Sequence, residues 1–163
     1  MTDILRITLI ILLLTITLAA SFLVIAVLFP NRLARTKSAA TSMQTRAFWV
    51  GMVNFAFFGT LAIILLTLLD GNRVPDLLRV VLFLPTMAVL ALLGILLSVG
   101  LAGVAQVIGE RIFTGQDTWR QTALGALILG TACALPFLGW FLLLPYVGFV
   151  GIGATILGFF QKS

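Results

Sequence analysis

The sequence predicts an all-α fold, a polytopic integral membrane bundle of about five transmembrane helices. The first observation is composition, since 61% of the residues are hydrophobic and only 9% are charged. The second is a mean hydropathy of +1.23. Soluble domains are about 25% charged, and a soluble fold of this length has too little interior for so much apolar surface. The third observation is a series of apolar runs long enough to cross a bilayer, about 20 residues each.

The first three spans are separated by short polar connections. We predict them at about residues 7–29, 48–69 and 80–107 of a single transmembrane domain that covers 1–163. The first run is longer than the apolar core of a signal peptide, which favours a retained span. Pro85 falls in the first turns of the third span, where lipid-embedded helices tolerate proline.

The last apolar block, residues 122–160, is too long for one crossing. As a single helix it would extend about 58 Å, nearly twice the hydrocarbon thickness. Pro136 and Gly139 interrupt it near the middle, so we predict a short Pro/Gly-broken hairpin with helices at about 122–135 and 140–160. Two thin spans and a re-entrant hairpin remain alternatives, as does one broken helix with four crossings in total.

Positive residues predict the orientation. Cytoplasmic loops of membrane proteins carry an excess of lysine and arginine. Five crossings with the N-terminus outside and the C-terminus cytoplasmic, in a bacterial inner (plasma) membrane, place most of the basic residues inside. The basic segment after the first span has no acid, and we expect it to contact anionic lipid headgroups through Arg32, Arg35, Lys37 and Arg46.

Several function classes are disfavoured by what the sequence lacks. It contains no histidine and a single cysteine, which removes the commonest general base and the commonest metal ligand. All acidic and basic residues fall at predicted helix ends or in loops, whereas coupled transporters place such residues at membrane depth. We therefore predict no enzyme activity, no cofactor, no metal and no nucleic-acid partner.

Small residues recur at three- and four-residue spacings in the last three spans. Such stripes lie along one helix face and allow close backbone approach in lipid. They pack the chain's own helices together or leave one stripe open for a partner protein. Asn54 is the costliest uncharged group at depth and is expected to bond a neighbouring helix. The predicted packing or partner residues are Asn54, Ser98, Ala102, Gly130, Gly148, Gly151 and Gly158.

The C-terminal third resembles a known bacterial membrane module. The similarity covers roughly residues 100–160 and rests on VIGERIF at 107–113, ALG at 123–125, LPFLGW at 135–140 and the glycine-rich stretch 148–154. These motifs are similar to the membrane hairpin that follows bactofilin-type (polymer-forming) domains. The 163 residues include no counterpart of the β-helical domain of that family. The resemblance therefore implies a non-catalytic membrane module of bacterial origin.

The expected function is that of a non-catalytic accessory subunit of a larger membrane complex, such as a respiratory or photosynthetic electron-transfer complex, with other membrane subunits as partners. A small channel or carrier is the alternative, and it requires Asn54, Ser98, Gln106 and Thr131 to converge on one path. A lipid-modifying enzyme is a third hypothesis, which requires Glu110, Arg111 and Asp117 to meet at one interface.

Overall fold

Helices form nearly all of the structure, a computed structural model that describes residues 2–70, 75–134 and 137–160. Within these ranges there is no β-strand. The elements in chain order are α1 (Thr2–Leu28), α2 (Pro30–Ser42), α3 (Gln44–Asp70), α4 (Asp76–Ile112), α5 (Thr118–Ala134), a π-helical segment (Leu138–Leu143) and α6 (Leu144–Phe160). The predicted all-α class is confirmed.

Four of the described helices are long and apolar enough to cross a membrane. The candidate spans are Leu9–Leu28, Gln44–Leu69, Leu77–Ile112 and Phe141–Phe160. The helix α5 has 17 residues and so extends about 25 Å, less than the hydrocarbon thickness of about 30 Å. A bundle with several helices suited to a bilayer is therefore observed, while the number of crossings stays a prediction.

The basic segment after α1 is helical, although the sequence predicted a polar connection there. Proline at the first position presets the backbone angle that a helix requires, and α2 begins at Pro30. One face of α2 is buried against α4 and α6, and its buried residues are Leu33, Thr36, Ala39 and Ala40. Four small or apolar side chains therefore form the buried face of α2. The polar composition of this segment did not indicate that helix.

A π-helical segment, Leu138–Leu143, leads directly into α6. Phe137 precedes this segment with φ 67° and ψ −67°, the conformation of a tight classic γ-turn. Residues 135 and 136, including the predicted Pro136, lie outside the described residues. A side chain at Gly139 would overlap the carbonyl oxygens of Ala132 and Cys133. Glycine therefore allows the π-helical segment to lie directly against the end of α5.

The helix α6 is the centre of the bundle. It packs against α2, α3 and α4, and its buried residues are Val147, Gly148, Val150, Gly151, Ile152, Gly153, Ala154, Thr155 and Gly158. Gly151 meets the backbone of Gly100 in α4, and Gly153 meets the backbone of Ala47 and Gly51 in α3. The absence of side chains at these crossings lets two helices, α3 and α4, approach α6 at backbone distance.

Burial divides α4 into two unequal halves. Among the described side chains of residues 77–95, only Thr86 is buried. Half of residues 96–109 are buried, namely Leu96, Gly100, Ala102, Gly103, Ala105, Gln106 and Gly109. The small residues that allow close packing are concentrated in this second half. The first half of α4 and parts of α1 and α3 therefore present apolar side chains that no described part of the chain covers.

Candidate functional site

The small residues singled out in the sequence mostly contact the chain's own helices. Ala102 is fully buried in a core cluster with Ala19 and Phe22 of α1. Gly130 of α5 faces the side chain of Thr15 in α1, while Gly148 of α6 faces Leu97 in α4. These positions join the helices of one chain.

The remaining packing candidates differ in their surroundings. Gly151 lies on Gly100, and Gly158 lies beside the backbone of Arg35 and Thr36 in α2. Ser98 is half-buried on α4. The half-buried Asn54 donates a hydrogen bond from its Nδ2 to the carbonyl oxygen of Val50, at 2.8 Å and within α3 itself. The amide of Asn54 thus has an acceptor in its own helix, whereas the sequence analysis expected one on a neighbouring helix.

Two of the four polar residues required by the channel alternative differ in burial. Thr131 is exposed on α5, and its hydroxyl donates to the carbonyl oxygens of Leu127 and Ile128. Gln106 on α4 is 6% exposed. Its Oε1 has no hydrogen-bond partner in the described part of the chain. Convergence of the four residues on one path therefore stays a prediction.

The residues of the enzyme hypothesis are also engaged elsewhere or exposed. The Glu110 carboxylate forms an ion pair with the Lys37 ammonium at 2.5 Å. Asp117 and Arg111 are exposed, with Asp117 lying between α4 and α5. Within the described residues, no three His, Cys, Asp or Glu side chains come close enough together to hold a metal. Glu110 is therefore paired with a basic residue of α2 rather than with Arg111 or Asp117.

The four basic residues predicted to meet lipid headgroups have separate environments. Lys37 reaches across to Glu110 on α4, and Arg46 is exposed in the first turn of α3. The Arg32 guanidinium carbon lies 4.2 Å from the centroid of the Phe159 ring. Arg32 and Arg35 both line a cavity of about 290 Å³ between α2, α4 and α6. Two of the four cations therefore share a cavity, and the other two lie outside it.

Sequence reasoning missed the apolar wall of this cavity. Its lining includes Phe29 at the end of α1, Leu92 and Ile95 in the middle of α4, and Phe159 at the end of α6. Each is an ordinary apolar residue within or beside a predicted span, and no spacing signal distinguishes it from its neighbours. Only the folding of α2 against α4 and α6 brings these residues next to the arginines.

Comparison with known proteins gives no relative for this chain. The sequence matches no family model, no curated protein and no solved structure at a significant level. The resemblance of residues 100–160 to the bactofilin-associated hairpin therefore stays a prediction. The functional argument consequently rests on the geometry of the chain itself.

Proposed function

We propose that this chain is a non-catalytic accessory subunit of a larger bacterial membrane protein complex. The observation that carries this proposal is the unequal burial of α4. Its second half is packed within the chain, whereas residues 77–95 expose large apolar side chains. Hydrocarbon and other membrane helices are the two environments that suit such a surface.

The uncovered half of α4 contains small residues suited to helix docking. Ala88, Ala91 and Gly94 follow one another at three-residue spacing and are exposed. A side chain added at Gly94 would meet nothing within 4 Å. In lipid, helix association depends on close van der Waals packing at small residues. The stripes at Gly148, Gly151 and Gly158 meet the chain's own helices, so this proposal assigns docking to the open part of α4.

The proposed setting is the bacterial inner membrane, with the N-terminus outside and the C-terminus cytoplasmic. The ion pair of Lys37 with Glu110 supports this orientation. It holds the basic helix α2 near the connection between α4 and α5, so that two segments rich in positive charge lie near one end of the bundle. A respiratory or photosynthetic electron-transfer complex is the context we propose, because such assemblies contain peripheral helical subunits without catalytic groups.

Purification from native membranes tests the accessory role. The chain would be tagged at its C-terminus, extracted in mild detergent and analysed by mass spectrometry for co-purifying proteins. We expect a stoichiometric set of larger membrane subunits. Ala91→Phe should reduce the recovery of these subunits at least about tenfold, because a large side chain at a small-residue interface prevents close helix packing.

The control for this experiment is Leu78→Phe, at an exposed position on the same half of α4 but on the opposite side of the helix from Ala91. It adds a similar aromatic surface without filling the small-residue stripe, and we expect partner recovery to be unchanged. Isolation of the wild-type protein as a lone monomer or a homo-oligomer would contradict the accessory role.

A further inference from the structure

The cavity beside the start of α2 combines two chemically different walls. One wall is apolar and includes Leu92, Ile95 and Leu96 of α4. The other carries Arg32 and Arg35, the two arginines in the first turns of α2. A ligand that satisfies both walls must be an amphiphile with a negatively charged end.

Arg32 contacts an aromatic ring. Its guanidinium lies over the ring of Phe159, which is a cation–π contact. The described acidic side chains form no ion pair with Arg32, since the one ion pair found among them joins Lys37 and Glu110. Arg32 is therefore oriented at the cavity mouth while its charge remains uncompensated by a described carboxylate.

Arg35 lines the same cavity as Arg32. Residues three apart lie on one side of a helix, so Arg35 extends from the same side of α2 as Arg32. Two arginines one helical turn apart thus line one cavity.

We propose that this cavity binds one anionic glycerophospholipid, with its phosphate on Arg32 and Arg35 and an acyl chain along Leu92, Ile95 and Leu96. Guanidinium groups match phosphate oxygens in bidentate geometry. A zwitterionic lipid carries its own cation beside the phosphate, which the paired arginines repel. The volume of about 290 Å³ is at the lower end for ligand pockets and accommodates part of one acyl chain.

The inference rests on the membrane setting of the proposed function but not on any protein partner. It assigns specific lipid binding to Arg32 and Arg35 only. Lys37 is paired with Glu110, and Arg46 does not line the cavity. Arg46 therefore serves as a matched control, because it is an exposed arginine of the same basic segment.

Native mass spectrometry of the delipidated full chain in mild detergent tests the site. The protein would be titrated separately with phosphatidylglycerol and with phosphatidylcholine of the same acyl chains. We expect one retained phosphatidylglycerol and at least about tenfold weaker retention of phosphatidylcholine. The double variant Arg32→Gln/Arg35→Gln should weaken phosphatidylglycerol retention about tenfold or more, since each near-surface arginine adds about 1 kcal/mol. Arg46→Gln should leave it unchanged.

A second pair of variants tests the apolar wall without changing charge. Ile95 is 62% exposed, so Ile95→Trp should fill the cavity mouth without disturbing the core and should weaken phosphatidylglycerol retention severalfold. Val81→Trp, at an equally exposed position away from the cavity, should have no effect.

Equal retention of the two lipids by the wild type would overturn the proposal. So would an Arg46→Gln effect as large as that of the double variant, or an Ile95→Trp protein that binds like the wild type. None of these outcomes alters the recovery of partner subunits, so failure of the lipid site is distinguishable from failure of the accessory role.

Discussion

At the scale of single residues, the helix crossings of this protein depend on positions that lack a side chain. A β-carbon at Gly153 would overlap the backbone carbonyl of Ala47, and one at Gly51 would overlap the backbone carbonyl of Phe149. By contrast, a β-carbon at Gly59 would meet nothing within 4 Å. Glycines that the sequence does not distinguish therefore have opposite structural roles. The role of each glycine depends on the atoms that face it.

Gly153→Ala is predicted to destabilise the bundle. The added methyl group meets backbone atoms, which cannot move aside without separating α3 from α6, and overpacking of this kind costs about 1–3 kcal/mol. The midpoint of thermal unfolding in detergent would fall. Gly59→Ala is the matched control, and its midpoint should stay the same or rise, because alanine favours an exposed helix position by about 1 kcal/mol over glycine. A Gly153→Ala protein as stable as the Gly59→Ala protein would refute the close α3–α6 contact.

The sequence indicates where small residues lie but not which residue each of them contacts. Gly148, Gly151 and Gly158 are predicted to share a helix face, and each meets a different residue, namely Leu97, Gly100 and the Arg35–Thr36 backbone. The spacing of small residues along one helix specifies which side of that helix carries them. It does not specify which other helix lies there, because that choice depends on long-range packing.

At the scale of the element, α2 is the feature that most changes the description of the chain. Composition alone suggested a solvated basic connection, whereas α2 runs beside α4 and α6. Its buried side includes Ala39, which is 0% exposed, and Thr36, which is 2% exposed. A helix of 13 residues is marginal in isolation, so packing of this narrow face stabilises it.

Leucine substitutions at two neighbouring positions of α2 test this arrangement. Ala39→Leu should destabilise the protein by about 1–3 kcal/mol, because the larger side chain has no space against α6. Ser38→Leu introduces the same side chain at the neighbouring exposed position and should change stability by less than about 0.5 kcal/mol. Chemical or thermal unfolding in one detergent provides the comparison. Equal tolerance of leucine at both positions would indicate that residues 31–46 are an unpacked connection.

The hydropathy pattern does not predict every helix boundary. The first two predicted spans fall within α1 and α3, except that the first prediction ran one residue past α1 to Phe29. The third span was predicted to end at 107, whereas α4 continues to Ile112. The polar residues Glu110 and Arg111 suggested an end, but a helix that leaves the apolar layer can continue with charged residues. Hydropathy marks the apolar layer rather than the helix.

At the scale of the whole molecule, the chain consists of a packed region and an uncovered one. The packed region brings α6 together with α2, α3 and the second half of α4. The uncovered region includes the first half of α4 and parts of α1 and α3, where large apolar side chains such as Leu13, Phe57 and Val81 are mostly exposed. Composition predicts the total apolar surface, but only the fold shows how it is distributed. This distribution is the basis of the accessory role.

Site-specific photo-crosslinking in native membranes tests that role most directly. A photoreactive amino acid would replace Met87, which is 42% exposed and lies one helical turn before Ala91. We predict a discrete adduct with another membrane protein, which Gly94→Leu abolishes and Leu78→Phe leaves intact. Adducts with lipid alone, or a protein adduct that Gly94→Leu does not change, would contradict docking through the open half of α4.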